Sequence, residues 1–596
     1  MKKSLFTDVY GEPISSDEIH LKIKHSSFLQ KWVKDLSTYA QSVLDTPMPE
    51  LNYRAFNAYF EDGDRDSYQK PYFERRKRLT AFSILSYLYP ENLDYPKHLH
   101  STIWAICDEW TWCLPAHLQI HSAFEKSKPG SEAHQQIDLF AAETAFSLAE
   151  ILTMFEESLP SLIKQRIHYE TRRRVLKPFQ EVEQSWVQAT HNWSAVCAGS
   201  IGACAIYLVE SKEELQRILD KCIKSVSYFV AGLTNEGACQ EGYHYWQYGF
   251  GYFIYFADLL KKHTEGKVNL LTLPKIKETA HFQEKVFMGR NTVANFSDAI
   301  EKASPLLGLS HYLHTQFEHV HLPETNECAT WDSDPCFRFA PALRHFIWYD
   351  ETKKGRVWPT HTSHFPEAQW YLSTFDYQNQ VVGVALKGGH NNEPHNHNDL
   401  GHFMIYVNGV SMLSDIGAGH YSKASFNADR YQMLSNGSHG HSVPLIGGCV
   451  QEQGADAFAR VISFKHRGKQ SEYQLNLTHA YTTPSLQTFT RKWEVDKELG
   501  CVCLTDSFML ASPESITERF VSLVESVHVE PGKMILSHGD SSLYLTFDQK
   551  FTPIVKKEHI IDHFGVGKET TLIDFSFENI VGEFSFTCQF NLEQLL

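Results

Sequence analysis

The chain runs to 596 residues, of which 42% are hydrophobic and 13% aromatic, a composition that builds large cores and a length that divides into at least two domains. Its 71 acidic against 55 basic residues leave a net charge of −16, which argues against nucleic acid as a partner but not against a small anionic substrate in a locally basic cleft. No apolar stretch reaches the ~18 residues of a spanning helix, and the opening MKKSLFTDVYGEPISSDE has no apolar run, so neither a signal peptide nor a membrane partner is expected and the cytoplasm is the expected location.

Up to about residue 290 apolar side chains recur at three- and four-residue spacing, the helical period. Thr80 to Leu88, Ala141 to Phe155, Ala195 to Leu208, Glu213 to Leu233 and Tyr252 to Leu260 all follow it, with Pro90, Pro160 and Gly266 punctuating the breaks. The basic runs Arg75-Arg76-Lys77-Arg78 and Arg172-Arg173-Arg174 read as solvated helix faces, the alternative being the lining of an anionic cleft. Three segments depart from the core pattern. Trp112-Cys113-Leu114-Pro115-Ala116-His117 sets an aromatic and a histidine around a proline. His191-Asn192-Trp193 stands just ahead of the apolar run from Ala195, where Asn192 is either an N-cap or a functional group. Asn235 to Gly249 reads NEGACQEGYHYWQYG, a glycine- and ring-rich entry into a helix in which Tyr243 and Tyr248 are taken as packing. Residues 301–367 hold several prolines and few periodic runs and are expected to be a linker.

From residue 368 the period changes to two. Gln380 to Leu386, Phe403 to Val407, Tyr473 to Leu477, Gly500 to Phe508, Ser542 to Phe547 and Phe584 to Phe590 are short alternating or apolar runs between turn residues, the signature of an antiparallel sandwich. The expected organisation is a helical domain over 1–300, the linker, and an all-β domain over 368–596. The twelve cysteines are scattered, several in apolar settings such as Cys197 and Cys204, and read as reduced, buried thiols.

Seven histidines fall in the 52 residues from His390 to His441, against 32 in the whole chain. Imidazole is the usual base near neutral pH and the commonest metal ligand. In His395-Asn396-His397 the rings are one residue apart, which on a strand puts both on one face. Phe403 to Val407 alternates as a strand, Asn408-Gly409 signals a hairpin, and the returning strand Val410 to Leu413 delivers Asp415 towards the histidines. A carboxylate joined to imidazoles suits Zn²⁺, and next Mn²⁺, better than Ca²⁺. His441 is the preferred third ligand, with His439 the alternative. Taken singly, His390, His402, His420 and His439 read as ordinary loop or core histidines.

The order HNW, EGxxYWxYG, NFSDA at Asn295 to Ala299, HNHNDLGHF, Asp415, Arg430-Tyr431 and GHSVP resembles the heparinase II/III-like polysaccharide lyases. That resemblance implies an N-terminal incomplete (α/α) toroid followed by a C-terminal antiparallel β-sandwich. It implies Tyr245 as proton donor, His191 or Asn192 as the group meeting a uronate carboxylate or acting as base, and His395 as the other catalytic imidazole. His397, Asp415 and His441 would bind a structural divalent metal. His117, Trp112, Glu241, Trp246, Tyr421 and Arg430 are expected to bind substrate. His402 departs from the small residue that the family motif often carries, and His441 is followed by Ser442 where HN is expected. The implied reaction is β-elimination on a uronic-acid-containing glycan, in the first place a glycosaminoglycan oligosaccharide, with alginate the alternative. A hydrolase on an (α/α) barrel would instead need paired carboxylates, for which Glu236 and Glu241 are the motif-adjacent pair. A non-catalytic carbohydrate-binding protein is the third reading. The expected partner is an anionic oligosaccharide, and a homodimer is compatible with the sequence.

Overall fold

The computed structural model describes residues 16–119, 135–420 and 428–593. They form two compact units. The helical unit takes the described residues up to Leu233 together with Trp246–Ala280 and Ser304–Arg356; the β-unit takes Thr234–Tyr245, His281–Ala303 and the described residues from Val357 onward. No helix among the described residues is long and apolar enough to cross a membrane.

The helical unit is an incomplete (α/α) toroid of packed helix pairs: Asp66–Leu88 with Asp94–Cys107, Leu139–Met154 with Ser161–Thr171, Asn192–Leu208 with Lys212–Gly232, and Leu307–Gln316 with Phe339–Trp348. The helix Asn192–Leu208 is buried along nearly its whole length. Being apolar all round, it can only be an interior helix, and its small residues decide how closely its neighbours approach. A Cβ on Gly202 would lie 2.3 Å from the Phe256 ring, and one on Gly199 would lie 3.0 Å from the Tyr252 carbonyl oxygen. The helix Gly251–His263 therefore packs against it only because these positions lack side chains.

Two expectations for this unit are corrected. The basic runs are solvated faces only in part: Arg172 and Arg173 stay exposed, whereas other members turn inward. Arg76 meets Glu109 and Thr144, Arg75 reaches the Pro49 and Ala105 carbonyls, and Arg174 meets Glu170 and the Trp110 and Cys107 carbonyls. These guanidiniums tie helices together from inside, because a buried charge is tolerated only when fully partnered. The stretch 301–367 is not a linker either: its helices Leu307–Gln316 and Phe339–Trp348 pack on each other within the helical unit. Gly308 makes that packing possible, since a Cβ there would lie 2.4 Å from the Arg344 carbonyl oxygen. The short apolar runs and prolines hid these helices from a periodicity search.

The β-unit is an antiparallel sandwich. One sheet has five strands in the order His361–Phe365, Trp370–Tyr377, Gln380–Lys387, Phe403–Val407, Val410–Leu413; the other has ten. Side chains of both sheets, among them Leu386, Phe403, Ile405, Trp493, Leu504, Phe520 and Phe590, fill one core. Two strands are far longer than their sequences suggest: Cys501–Ser522 and Gly567–Asn591 pair along most of their length. Beyond the run Gly500 to Phe508, the strand carries the polar stretch around Pro513 through a register shift between Leu510 and Ile516, which is how a strand accommodates a missing N–H donor.

His345 makes the helical unit pH-sensitive. Its Nδ1 accepts the Gly308 N–H at 3.1 Å, its ring lies 4.5 Å from Trp32, and burial pushes its pKa down from 6.5 to about 3. The folded state keeps the ring neutral, whereas the unfolded chain takes up a proton below about 6.5. Stability tied to this ring is therefore complete above the unfolded value and is lost as pH falls towards about 3. Thermal midpoints measured at about pH 7 and about pH 5 should fall on acidification, and His345→Gln should shrink that fall. An unchanged difference between the two pH values would count against the assignment.

Candidate active site

The expected hairpin is present. Phe403–Val407 pairs with Val410–Leu413, and the two turn residues Asn408 and Gly409 have φ of 53° and 76°, the left-handed pair that a tight hairpin of matching twist requires. Gly409 also lies against Gly289, where a Cβ would come within 2.9 Å of the carbonyl oxygen. Just past the hairpin, Asp415 joins His397 and His441 in a buried group whose donor atoms all lie within 4.8 Å of one another.

The hydrogen bonds define which nitrogen of each ring faces that group. His441 Nδ1 is 2.8 Å from the Gly437 carbonyl, and His397 Nε2 is 3.1 Å from Asp298 Oδ1. Both partners are acceptors, so the protons sit there, and the lone pairs of His441 Nε2 and His397 Nδ1 face each other at 3.2 Å. Asp415 lies 3.6 Å from the first and 4.0 Å from the second, and its buried Oδ2 has no hydrogen-bond partner among the described residues. Two facing lone pairs beside a carboxylate call for a cation. A tetrahedral ion with bonds of about 2.0–2.1 Å holds its ligand atoms about 3.3 Å apart, so this donor set fits one. A proton competes for the same place: burial opposes protonation of His441, but the Asp415 charge outweighs it and raises the ring's pKa. His439 is not a member of the group. His402 is adjacent to it: Nδ1 accepts the Ser442 N–H at 2.9 Å, and Nε2 faces Asp415 Oδ2 at 3.5 Å.

His395 and His397 are not on a strand, contrary to the expectation from their spacing. They lie in a loop where His395 has φ 57°, a left-handed conformation uncommon outside glycine that local contacts help to hold. Asp298 supplies one such contact, with Oδ2 2.9 Å from His395 Nδ1. The His395 ring stacks on Tyr245 at 4.2 Å between centroids with an interplanar angle of 20°. Its Nε2 is 3.7 Å from Glu241, and the side chain keeps 22% exposure where its partners keep 5% or less. Tyr245 is carried by the loop Thr234–Tyr245, which belongs to the β-unit and not, as expected, to the helical domain. That loop is anchored locally. Glu236 accepts the Glu367 and Ala368 N–H groups, Ser297 Oγ donates to the Gln240 carbonyl, and Tyr243 donates to Gln283. At Gly242, with φ 92°, a Cβ would lie 2.8 Å from that of Ala299.

Arg430 donates from one nitrogen to both Asp298 oxygens at 2.9 Å and to the His395 and Asn396 carbonyls, so that nitrogen acts as an internal brace. Trp112 and Trp246 are buried core residues, at 1% and 0% exposure, and are corrected as substrate contacts. Their indole N–H groups donate to the Ile106 and Thr279 carbonyls. Two residues before Trp112, the Trp110 side chain is exposed. His117 is in the helical unit, with Nδ1 2.8 Å from Asp138 and its ring against Phe140 and Trp193. His191 and Asn192 open the helix Asn192–Leu208, with His191 in the N-cap position expected for Asn192. The Asn192 Cβ lies where a side chain on Gly249 would clash, at 2.9 Å. Tyr421 lies outside the described residues. Asp298 was missed by sequence reasoning beyond its place in the NFSDA segment; an acidic residue in an otherwise apolar, structureless run was the available signal.

Residues 359–586 match the family model "Heparinase II/III-like, C-terminal". The β-unit thus carries a heparinase II/III-like C-terminal domain. Over its whole length the fold is similar to those of solved lyases. Heparinase III aligns with a TM-score of 0.64 at 12% identity, covering 99% of this chain and 93% of that one. A mutant of heparan sulfate lyase HepC from Pedobacter heparinus aligns at 0.61 and 11%, covering 100% and 94%. The chondroitin AC lyase of Streptomyces coelicolor A3, in complex with chondroitin sulphate, aligns at 0.54 and 9%, covering 99% and 81%. No curated protein shows significant similarity to the sequence.

The two buried indoles lead to a stability test. Trp246→Phe removes a donor and leaves the buried Thr279 carbonyl short of a partner, at a cost of about 1–3 kcal/mol. Trp110→Phe, at an exposed position, should change stability by no more than about 0.5 kcal/mol. Denaturant unfolding of both variants checks the difference, and equal effects would contradict the core assignment.

Proposed function

We propose that this protein is a polysaccharide lyase that cleaves a uronic-acid-containing glycan of glycosaminoglycan type by β-elimination, leaving a 4,5-unsaturated uronate at the new non-reducing end. The observation that carries this reading is the stack of the Tyr245 phenol on the His395 imidazole, whose side chain keeps 22% exposure. Elimination must take the weakly acidic proton from C5 and expel the oxygen on C4. A phenol and an imidazole side by side supply the two proton-transfer groups, each worth on the order of 10²–10⁴-fold. Tyr245 is proposed to protonate the leaving oxygen, and to act also as base where the C5 proton is on the same side; His395 or His191 takes the proton from the opposite face. His191 and Asn192, which the resemblance implies for the uronate carboxylate, stand at a helix N-terminus, which favours a negative charge. Stabilising that carboxylate as the enolate-like intermediate forms typically lowers the barrier more than either proton transfer does.

The glycosaminoglycan class is supported by the substrates named for the similar structures, heparan sulfate and chondroitin sulphate. The hydrolase reading loses its carboxylate pair: Glu236 is engaged by backbone N–H groups of Glu367 and Ala368. All twelve cysteines are unpaired, which supports a reducing compartment and therefore action on imported oligosaccharides in the cytoplasm. The divalent metal proposed for His397, Asp415 and His441 is Zn²⁺ in preference to Mn²⁺. Bound there, it would supply structural cross-linking of the loop that carries His395.

Incubation with hyaluronan, chondroitin, heparin, heparan sulfate and alginate oligosaccharides should yield, from at least one glycosaminoglycan, products that absorb in the near ultraviolet. Products heavier by one water and lacking that absorbance would mean hydrolysis. Tyr245→Phe removes only the hydroxyl and should lower kcat by on the order of 10²–10⁴-fold with little change in thermal midpoint. The metal is tested separately. Purified protein should contain about one equivalent of Zn²⁺ or Mn²⁺ per chain, lost in His441→Ala and kept in His439→Ala; metal-free protein with activity indifferent to chelation would overturn the assignment.

A further inference from the structure

Asp298 is held in place by more donors than any simple ion pair needs. Its side chain is 1% exposed. Oδ2 is 2.9 Å from His395 Nδ1, and Oδ1 is 3.1 Å from His397 Nε2. One nitrogen of Arg430 donates to both oxygens at 2.9 Å, and Asn436 Nδ2 reaches Oδ1 at 3.4 Å. Ser297 turns the chain with φ 64° and donates to the Gln240 carbonyl, while Ala299 seats Gly242. The loop that presents Asp298 is thus the loop on which the Tyr245 segment rests.

We infer that Asp298 is a positioning residue that fixes the tautomers of His395 and His397 together, coupling the reactive imidazole to the metal-binding group through one carboxylate. A neutral imidazole has one N–H and one lone pair on opposite sides of the ring. A carboxylate only accepts, so it draws the N–H of each ring to itself. His397 is left with its lone pair on Nδ1, towards His441 and Asp415. His395 carries its N–H on Nδ1 towards Asp298, with Nε2 turned away from Asp298 and 3.7 Å from Glu241. Because Arg430 binds through a single nitrogen, each carboxylate oxygen keeps capacity for its own ring. A carboxamide has one acceptor and one donor and cannot serve both rings at once. Outer-sphere carboxylates of this kind change metal affinity or activity by about 10–100-fold when removed. The effect on turnover rests on the lyase reading; the effects on tautomer and metal do not.

The wild-type protein, labelled with ¹⁵N in histidine, tests the tautomers directly. The His395 signals, identified by their loss in His395→Gln, should show the proton on Nδ1, and a proton on Nε2 alone overturns the inference. Asp298→Asn should then lower the metal content after dialysis and reduce kcat by about 10–100-fold, with KM changed less than about threefold. A variant that keeps full metal and a kcat within about threefold of wild type also overturns it. Should Asp298→Asn fail to fold because Arg430 is left buried and unpaired, Arg430→Met is compared with the double variant Asp298→Asn/Arg430→Met. A further loss of metal and turnover in the double variant supports the inference; identical behaviour means that the carboxylate serves only to neutralise Arg430. If the wild type releases no unsaturated product, the lyase reading fails, while the tautomer and the metal content still decide the role of Asp298.

Discussion

A carboxylate buried among polar groups has to be satisfied by several donors at once, and at Asp298 that requirement organises the whole candidate site. Its donors come from three separate stretches of chain: His395 and His397, Arg430, and Asn436. None of them lies on a strand: Arg430 is in the short 3₁₀ helix Ala428–Gln432 and the others are in loops. Burying the charge without these partners would cost several kcal/mol, so the loops are correctly folded only when they converge on it. The same convergence helps to hold the left-handed φ of His395.

The hairpin that delivers Asp415 is the more rigid half of the arrangement. Its strands belong to the five-stranded sheet, and its inward side chains, Phe403, Ile405 and Leu413, are part of the sandwich core. The position of Asp415 is therefore inherited from the core and not from local loop preferences. His402, at the foot of the same hairpin, accepts one N–H and faces the Asp415 carboxylate, which gives a physical use to the residue in which this chain departs from the common motif. A larger, polar ring there fills space that a small residue would leave beside a buried carboxylate.

Within the helical unit, close helix approach is set by glycine, and charge is handled by internal pairing. Gly199, Gly202 and Gly308 each sit where a Cβ would meet a neighbouring helix at 3.0 Å or less. The buried pair Arg344–Glu150, bonded through both guanidinium nitrogens at 2.8 Å, joins the helix Phe339–Trp348 to Leu139–Met154. Removing one partner of such a pair would leave an uncompensated buried charge, at a cost of about 3–5 kcal/mol.

The change of hydrophobic period from 3.6 to 2, the hairpin at Asn408-Gly409 and the identity of His397, Asp415 and His441 were all legible in the sequence, because each depends on local pattern or on residue chemistry at a fixed spacing. Trp112, Trp246 and Arg430 were not legible as core and brace, since an aromatic or a guanidinium looks the same in sequence whether it meets a ligand or the protein's own carbonyls. The long strands through Pro513 and the helices between residues 304 and 356 were hidden because bulges and tertiary packing override local propensity. The loop Thr234–Tyr245 lies in the β-unit, and Asp298 binds two histidines about a hundred positions away, for a reason that no local pattern contains. The partners of a buried polar group are chosen by the folded chain as a whole.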